Sequence, residues 1–488
     1  MIESLESRIA PAAILAFTDS DGDAITVKAS KGTNAQLATA VARDGMGNIT
    51  VVTLSSAIYE GSNFSITATT PHGSHGDGHI AVPIFNASGT DLGVVSIDGD
   101  VGSGAIGSNT AGTPAVKSFT ALSLGITNSS LAPLVLDGVV PLFALKSDIG
   151  PSGGLIFGGS TPVGNLVGKI VIGGNIVGSG ASSGGDMVIG GGVGSIAVKG
   201  IVLGGSANDT GSIVIGTGTG ATPTRISVGS LIGNSGEFSG SIRATGPLGA
   251  VTVTGNIVAG TNTLSGSIIS EKNISSITVG QSISDNSSAD GEIAAGADIS
   301  SGVLGGSDNL GKLTIKGSIA GEENSQYQIV ASNDISSISI KGDADGATIS
   351  SGGNIGAVIV GGSLLETEIS AHGTGVGLAL GSVVIHGSVR SADFFTGKAA
   401  ISTQSVDTNA TMGKISIAGD ALGITIESGT AAGPTSRVAS VTFAGPVFDV
   451  GIFSSDIVKL TVDGAAAPLT PGANNDNNAF GGVTYNET

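Results

Sequence analysis

The sequence predicts an all-β fold: a parallel β-helix, expected to wind right-handed, with three short strands in each coil of about 25 residues. Three observations support this prediction. A short phrase recurs along the chain, inward apolar and outward residues alternate within it, and glycine follows its strand. Copies of the phrase are Val167–Ile176 (VGKIVIGGNI), Leu248–Ile257 (LGAVTVTGNI), Leu310–Ile319 (LGKLTIKGSI), Ile355–Leu364 (IGAVIVGGSL), Leu380–Val389 (LGSVVIHGSV) and Met412–Ala421 (MGKISIAGDA).

The copies can be aligned on their first inward apolar residue. This alignment predicts about fifteen coils over residues 92–464, with a mean step of about 26 residues. The first three copies and the last are degenerate, as is usual for terminal repeats. The aligned residues are Val95, Phe119, Phe143, Ile170, Ile196, Ile226, Val251, Ile277, Leu313, Ile338, Val358, Val383, Ile415, Val441 and Leu460.

Within one copy, inward Ile170 and Ile172 alternate with outward Lys169 and Val171, which is the period-two pattern of a strand. Glycine at the next corner suits a bend that needs positive φ or a crowded backbone. The residue after this glycine is often Asn, Ser or Asp, and such side chains bond to bent backbone. Stacking of the coils therefore predicts a polar ladder along one edge. Its members are Asn175, Asn256, Ser318, Asp343, Ser363, Ser388 and Asp420.

The two ends of the chain differ from the repeats. We expect a leader over residues 1–13, a β-rich capping domain over residues 14–91 and a flexible tail over residues 465–488, which is rich in Pro, Gly and Asn. In the capping domain, two strands flank a polar turn as a β-hairpin, and three more strands follow. The predicted strands are Ala13–Thr18, Ala24–Lys28, Ile49–Leu54, Phe64–Thr69 and Ile80–Ile84.

The composition excludes several classes of protein. The chain has 488 residues, 83 of them Gly, with 3% aromatic residues and neither Cys nor Trp. The lack of Cys excludes disulfides and cysteine zinc sites. The formal net charge of −19 disfavours binding of nucleic acid through a basic surface. No apolar run approaches about 18 residues, so no membrane span is expected.

The turn of the predicted hairpin carries Asp19, Asp21 and Asp23 at alternate positions. Carboxylates at this spacing resemble half of a calcium loop. The EF-hand pattern requires Gly at its sixth position and Glu at its twelfth, whereas here Gly22 is fourth and Ser30 is twelfth. Two interpretations follow, a plain hairpin turn and a calcium site. No other cofactor is predicted.

A second candidate metal site lies in the stretch HGSHGDGH, which gathers His72, His75, Asp77 and His79. Imidazoles with a carboxylate can bind zinc, nickel or copper. The glycine and serine spacers equally suit a flexible polar loop before the strand at Ile80.

Basic residues recur on the outward side of the repeated strand, and Ser or Thr often occupies the middle outward position. Stacking would place the hydroxyl groups in a row edged by cations on an otherwise acidic protein. This face could be ordinary solvated surface, or it could dock an acidic glycan or another copy of the chain. The basic residues are Lys169, Lys199, Arg225, Lys312, Lys316, Lys341, Lys414 and Lys459.

Because β-helix proteins often degrade acidic polysaccharides, an alternative interpretation of this chain is a polysaccharide lyase or hydrolase. That chemistry needs clustered acidic and basic residues on one exposed sheet, usually beside aromatic platforms for sugars. Here Tyr59, Tyr327 and Tyr485 are scattered, and the adjacent pair Glu322 and Glu323 reads as a solvated loop. We therefore expect a protein that is not an enzyme.

Three stretches together resemble a known group of proteins. Leu5–Ala12 (LESRIAPA) resembles the LExRxAPA leader of large surface proteins from planctomycetes and verrucomicrobia. Phe17–Lys28 (FTDSDGDAITVK) is similar to the hairpin that follows that leader, and Gly356–Leu364 (GAVIVGGSL) is similar to the repeat. The resemblance implies an exported β-solenoid on the surface of a bacterium, and it brings no catalytic residues. The start of the chain, with Glu3 and Glu6, does not read as a secretory signal peptide.

These observations favour a non-enzymatic structural or adhesive β-solenoid of the cell surface or extracellular matrix, acting through its long faces. Its expected partners are acidic glycans or other copies of itself. The alternative is a β-helix protein that binds or degrades polysaccharides.

Overall fold

The fold comes from a computed structural model, which describes residues 12–110, 113–127, 132–159, 164–180, 184–216, 221–285, 291–295, 307–321, 327–373, 377–391, 393–396, 410–428, 436–470 and 477–487. The predicted leader therefore lies outside the described residues except for Ala12 and Ala13. Glu322 and Glu323 also lie outside them. Contacts along the chain divide it into two compact units, residues 1–224 and 225–488.

The first unit combines a short α-helix with strands. Its helical elements are α1 (Asn34–Ala40) and a 3-10 turn at Ala57–Tyr59. Its strands are β1 (Ala13–Thr18), β2 (Ala24–Ala29), β3 (Val41–Arg43), β4 (Ile49–Thr53), β5 (Phe64–Thr69), β6 (Ile80–Ser88), β7 (Leu92–Gly107), β8 (Val116–Leu124), β9 (Leu134–Asp137), β10 (Val140–Leu145), β11 (Gly154–Gly158), β12 (Asn165–Ile172), β13 (Ile176–Val177), β14 (Asp186–Ile189), β15 (Gly192–Val198), β16 (Ile201–Leu203) and β17 (Ile213–Ile215).

From the boundary onward, every described regular element is a strand. These strands are β18 (Thr224–Val228), β19 (Ser230–Ile232), β20 (Ile242–Ala244), β21 (Leu248–Val253), β22 (Ile257–Val258), β23 (Ile268–Ser270), β24 (Ile274–Val279), β25 (Ile283–Ser284), β26 (Glu292–Ala295), β27 (Leu310–Ile315), β28 (Ile319–Ala320), β29 (Tyr327–Ala331), β30 (Ile335–Ile340), β31 (Ala344–Asp345), β32 (Ala347–Ser351), β33 (Ile355–Val360), β34 (Leu364–Leu365), β35 (Glu368–Ala371), β36 (Gly377–Ile385), β37 (Val389–Arg390), β38 (Asp393–Thr396), β39 (Ala410–Ile417), β40 (Ala421–Ser428), β41 (Arg437–Phe443), β42 (Val447–Ser454), β43 (Leu460–Val462), β44 (Ala465–Ala466), β45 (Asn477–Phe480) and β46 (Val483–Glu487).

The pairing of these strands confirms the predicted parallel β-helix with three strands per coil. In the first unit, β12 pairs in parallel with β15, β13 with β16 and β14 with β17. In the second unit the same step of three strands continues, for example from β21 to β24 to β27 and from β22 to β25 to β28. Each third strand therefore stacks on the equivalent strand of the previous coil.

The predicted alignment of the interior is confirmed at each register that the described residues give. In the first unit, Val95 pairs with Phe119, and the series continues through Phe143 and Ile170 to Ile196. The corresponding series of the second unit is Val251, Ile277, Leu313, Ile338, Val358, Val383, Ile415, Val441 and Leu460. All these side chains are buried. The interior is thus a stack of apolar side chains, one layer per coil.

The first unit also has an aromatic column in its interior, which composition did not predict. Phe64, Phe85, Phe119, Phe143 and Phe157 follow one another with ring centroids 5.2 to 6.3 Å apart. The rings of Phe119 and Phe143, on neighbouring rungs, are stacked with an interplanar angle of 3°. Aromatic pairs at such spacings contribute about 0.5–1.5 kcal/mol beyond the area they bury.

The five strands predicted in the N-terminal region are present as β1, β2, β4, β5 and β6, with bounds within a few residues of the prediction, and β3 is an additional strand. β1, β2 and β5 pair antiparallel, as do β3 and β4. Parallel pairing begins inside the predicted cap, because β4 pairs in parallel with β6 and β5 with β7. The cap therefore continues directly into the coils of the first unit, without a break at residue 91.

Helix α1 was not predicted. Its start is fixed by a capping box, in which Thr33 Oγ1 accepts a hydrogen bond from the Gln36 backbone N–H and Gln36 Oε1 accepts one from the Thr33 N–H. The helix has seven residues. A helix this short offers little periodicity for sequence analysis to detect.

Glycine is required at the corners because a larger residue would have no room for its side chain. At Gly200, Gly255, Gly317, Gly342 and Gly362, an added Cβ would lie closer than 3 Å to a side-chain oxygen of the previous coil, and none of these glycines has positive φ. Of the two reasons that the sequence suggested, crowding therefore applies at these corners and positive φ does not.

Three of the oxygens that crowd these glycines belong to the predicted polar ladder, those of Asn175, Ser318 and Asp343, and the ladder also includes Ser230 and Ser282, which were not predicted. Ser318 Oγ accepts a hydrogen bond from the Asp343 backbone N–H at 3.1 Å, and Asp343 Oδ1 accepts one from the Ser363 N–H at 2.7 Å. The series continues with Ser363 Oγ, which accepts from Ser388 N–H, and Ser388 Oγ, which accepts from Asp420 N–H, both at 3.2 Å. Each of these four side chains thus satisfies a backbone donor of the next coil.

The C-terminal segment differs from the predicted flexible tail. Strand β46 pairs in parallel with β42 and antiparallel with β45. Val483 is 0% exposed and Tyr485 is 1% exposed, so this strand carries apolar side chains that cover the last coil. The surrounding Pro, Gly and Asn residues hid this short alternation.

No helix among the described residues is long and apolar enough to cross a membrane.

Replacing Gly342 with Ala tests the crowding at the corners. An added Cβ would collide with Ser318 Oγ, and overpacking of this kind costs about 1–3 kcal/mol. We expect Gly342→Ala to lower the midpoint of urea unfolding of the full chain accordingly. Gly45→Ala is the matched control, because an added Cβ there meets nothing within 4 Å. Equal midpoints for the two variants would contradict this account.

Candidate functional site

The eight predicted basic residues are all exposed. They occupy two positions of the repeat. Five precede the first inward residue of the main strand: Lys169, Arg225, Lys312, Lys414 and Lys459. Three follow the end of that strand: Lys199, Lys316 and Lys341.

The lysines do not stack directly on one another along the main strand of the second unit. Lys312 pairs with Ser276 on one side and Ser337 on the other, and Lys414 lies next to Ser382 and Ser440. Serine therefore separates the cations. This spacing reduces the repulsion that neighbouring rungs, about 4.8 Å apart, would impose on adjacent lysines.

At the strand end, two lysines do occupy neighbouring rungs. Lys316 follows Ile315 and Lys341 follows Ile340, and these two isoleucines pair in register. The Lys341 backbone N–H donates to Ile315 O, which fixes the relation of the two chain segments. This pair is the densest positive charge among the eight predicted residues.

The predicted row of hydroxyl groups is confirmed over part of the second unit. Thr252, Thr278, Thr314 and Ser339 lie on four successive rungs in register. Ile359 and Val384 interrupt the row, which resumes at Ser416, Thr442 and Thr461. In the first unit, Ser65, Ser96 and Thr120 carry hydroxyl groups on successive equivalent rungs, whereas the following rungs Ala144, Val171 and Ala197 carry none. The longest hydroxyl row among the described residues therefore lies in the second unit.

The Asp turn of the N-terminal hairpin forms a tight turn, as one of the two interpretations predicts, and it also brings three carboxylates together. The Asp19 backbone N–H donates to Asp23 O at 3.1 Å, and Asp19 Oδ1 accepts from the Asp23 N–H at 2.8 Å, as in a tight turn. Asp19, Asp21 and Asp23 also place ligand atoms within 4.8 Å of one another. Asp19 and Asp23 are buried, whereas Asp21 is exposed.

This crowding separates the pKa values of two of the carboxyl groups. Burial, a hydrogen bond with Asp21 and the negative charge of Asp21 raise the pKa of Asp19 to about 6. The same hydrogen bond lowers the pKa of Asp21, because its ionised form accepts the proton that Asp19 donates.

The histidine stretch is not assembled as a metal site. His72, His75, Asp77 and His79 are all exposed. Among the described residues, the only group of three or more potential ligands close enough for one metal is the Asp19, Asp21 and Asp23 cluster. Asp77 Oδ1 accepts a hydrogen bond from the backbone N–H of His79 at 2.8 Å, which shapes the loop locally.

The loop nevertheless reaches the Asp cluster. The backbone N–H of Gly78 donates to Asp23 Oδ2 at 2.6 Å, across 55 residues of sequence. An acidic cleft of about 420 Å³ adjoins this contact, with Asp19, Asp21 and Asp77 in its lining. In the sequence, the turn and the loop are two separate candidate metal sites, because no local pattern predicts that they meet.

Two further carboxylates in the cleft were also missed. Asp100 is held by Ser123 Oγ at 2.7 Å and by Thr127 Oγ1 at 2.8 Å, so its role is to fix the cleft wall. Asp148 belongs to the corner ladder and also lines the cleft. Both come from coils that follow the cap.

Comparison of the chain with family models, with curated proteins and with solved structures found no match.

The titration of Asp19 in metal-free protein tests this geometry. We expect its carboxyl carbon to titrate near pH 6 in NMR spectra, and Asp21→Asn to lower that value by removing the neighbouring charge. Because the folded-state pKa lies above the ordinary value, the contribution of Asp19 to stability is complete below about pH 4 and is lost as pH rises through about 6. An Asp19 pKa near 4 would contradict the described burial.

Proposed function

We propose that this chain is a non-enzymatic structural or adhesive β-solenoid that acts through the outer face of its main strands. We further propose a place at the bacterial cell surface or in the extracellular matrix, in line with the surface proteins that its leader, hairpin and repeat resemble. The alternative, a protein that binds or degrades polysaccharides, is an outcome of the test below.

The observation that carries the proposal is the regular outward face of the second unit. Thr252, Thr278, Thr314 and Ser339 present hydroxyl groups on successive rungs, and the exposed Lys312, Lys316 and Lys341 lie beside them. A flat row of evenly spaced donors suits a partner that itself repeats, such as a polysaccharide or another β-solenoid. Because stacking of the coils already holds these groups in place, little conformational entropy is lost when a partner binds.

Charge favours an acidic partner for this face. The chain has a formal net charge of −19, with only 19 Lys and Arg residues in total. Eight of these basic residues, those that the sequence predicted, are exposed on or next to the main strands of the repeat. A carboxylated glycan, or an acidic surface of a second copy, would complement them, whereas nucleic acid would be repelled by the remaining surface.

Removing the densest cations tests the binding face. We expect wild-type protein to bind an immobilised polyuronate, and Lys316→Gln/Lys341→Gln to weaken that binding at least fivefold, since each lysine contributes a charge contact of about 0.5–1 kcal/mol. Lys28→Gln/Lys31→Gln is the matched control, because both lysines are exposed in the N-terminal cap, away from the main strands of the repeat. Binding should also weaken as salt is raised.

Two results would count against the proposal. One is a lack of binding to acidic glycans together with a single monomeric species in light scattering and negative-stain images. The other is release of new reducing ends or unsaturated sugars from the polyuronate, which would favour the enzymatic alternative. Ordered self-association that Lys316→Gln/Lys341→Gln abolishes would support a structural role with the chain itself as partner.

A further inference from the structure

The N-terminal hairpin turn and the 72–79 loop meet at one buried carboxylate. Asp23 is 0% exposed. Its Oδ2 accepts the hydrogen bond from the Gly78 N–H, whereas its Oδ1 is buried and has no hydrogen-bond partner. A buried carboxylate oxygen without a partner is unfavourable, because the charge has lost its water. This side chain therefore calls for a positive ligand.

Asp19 and Asp21 bring two more carboxylates to the same place. Ligand atoms of the three residues lie within 4.8 Å of one another. The described residues that line the adjoining cleft include Asp77, Asp100 and Asp148 but neither Lys nor Arg. The described cleft lining therefore contains no Lys or Arg to balance the negative charge of the cluster.

We propose that Asp19, Asp21 and Asp23 bind one calcium ion, which joins the hairpin turn to the 72–79 loop. The donors are all carboxylate oxygens, and hard cations prefer such ligands over the nitrogen and sulfur ligands typical of zinc. Calcium accepts about six to eight oxygens in flexible geometry, so backbone carbonyls and water can complete the shell. Magnesium requires near-ideal octahedral geometry, which carboxylates on alternate turn residues do not prearrange.

The loop backbone lies close over the site. An added Cβ at Gly76 would be closer than 3 Å to both oxygens of the Asp23 carboxylate. Glycine at this position lets the loop approach the cluster, and the Gly78 N–H then orients Asp23. Calcium bound at the turn would hold the 72–79 loop through Asp23 and thereby stabilise the cap. This inference concerns the cap alone and is independent of the proposed adhesive function.

Calorimetric titration of the full chain, after treatment with a chelator, tests the site with CaCl₂ and MgCl₂ as probes. We expect one calcium ion per chain, weaker binding of magnesium, and at least tenfold weaker calcium binding in Asp21→Asn. Asp21 is exposed, so this variant should fold like wild type in thermal unfolding with chelator present. Asp23→Asn should also lose calcium binding, provided that its thermal unfolding shows a folded protein.

Asp449→Asn is the matched control for charge. Asp449 is exposed in the second unit with φ of 53°, a conformation that Asn tolerates. We expect its calcium affinity to equal that of wild type. In hydrogen exchange, calcium should slow the Gly78 amide of wild type and of Asp449→Asn but not of Asp21→Asn.

Absence of calcium binding, or equal calcium affinity in wild type and Asp21→Asn, would overturn the site. Magnesium binding as tight as that of calcium would overturn the assignment of the ion.

Discussion

The structure depends on one contact that recurs at the described corners from Ser230 to Asp420. A side-chain oxygen of one coil accepts the backbone N–H of the equivalent residue in the next coil, as Ser318 does for Asp343 and Asp343 for Ser363. The glycine that precedes the donating residue, such as Gly342 before Asp343, leaves room for that oxygen. Because the contact sets which residue lies above which, it also fixes the register of the strands on either side of the corner.

The candidate binding surfaces follow from this register. The hydroxyl row of the second unit exists because Thr252, Thr278 and Thr314 are held on successive rungs. A slip of one residue would turn these side chains inward and expose the buried Val251 series. The acidic cleft of the first unit depends on the same stacking, because Asp100 and Asp148 come from coils that follow the cap. The positions of both candidate sites are thus a consequence of how the coils are aligned.

Much of the fold is readable from the sequence, because a stacked coil must present the same pattern on each rung. The interior series and the corner ladder were predicted for this reason, whereas five strands of the cap were predicted from alternating apolar residues and turn residues. Helix α1 and strand β46 were missed, since each is a short element whose signal, the Thr33 and Gln36 pair or the Val483 and Tyr485 alternation, covers only a few residues. For the candidate site, the sequence named the acidic residues of the turn and the loop. The hydrogen bond from Gly78 to Asp23 that joins them spans 55 residues, and local pattern carries no information about such a contact.

Hydrogen exchange at the corner amides tests the central contact most directly. In wild-type protein the Asp343 amide is expected to exchange slowly, because Ser318 Oγ holds it at 3.1 Å. Ser318→Ala removes that acceptor and should speed exchange at Asp343 several-fold, since one intramolecular hydrogen bond contributes about 0.5–1.5 kcal/mol. The Asp420 amide, held by Ser388 several coils away, should keep its rate. Unchanged exchange at Asp343 in Ser318→Ala would contradict the account.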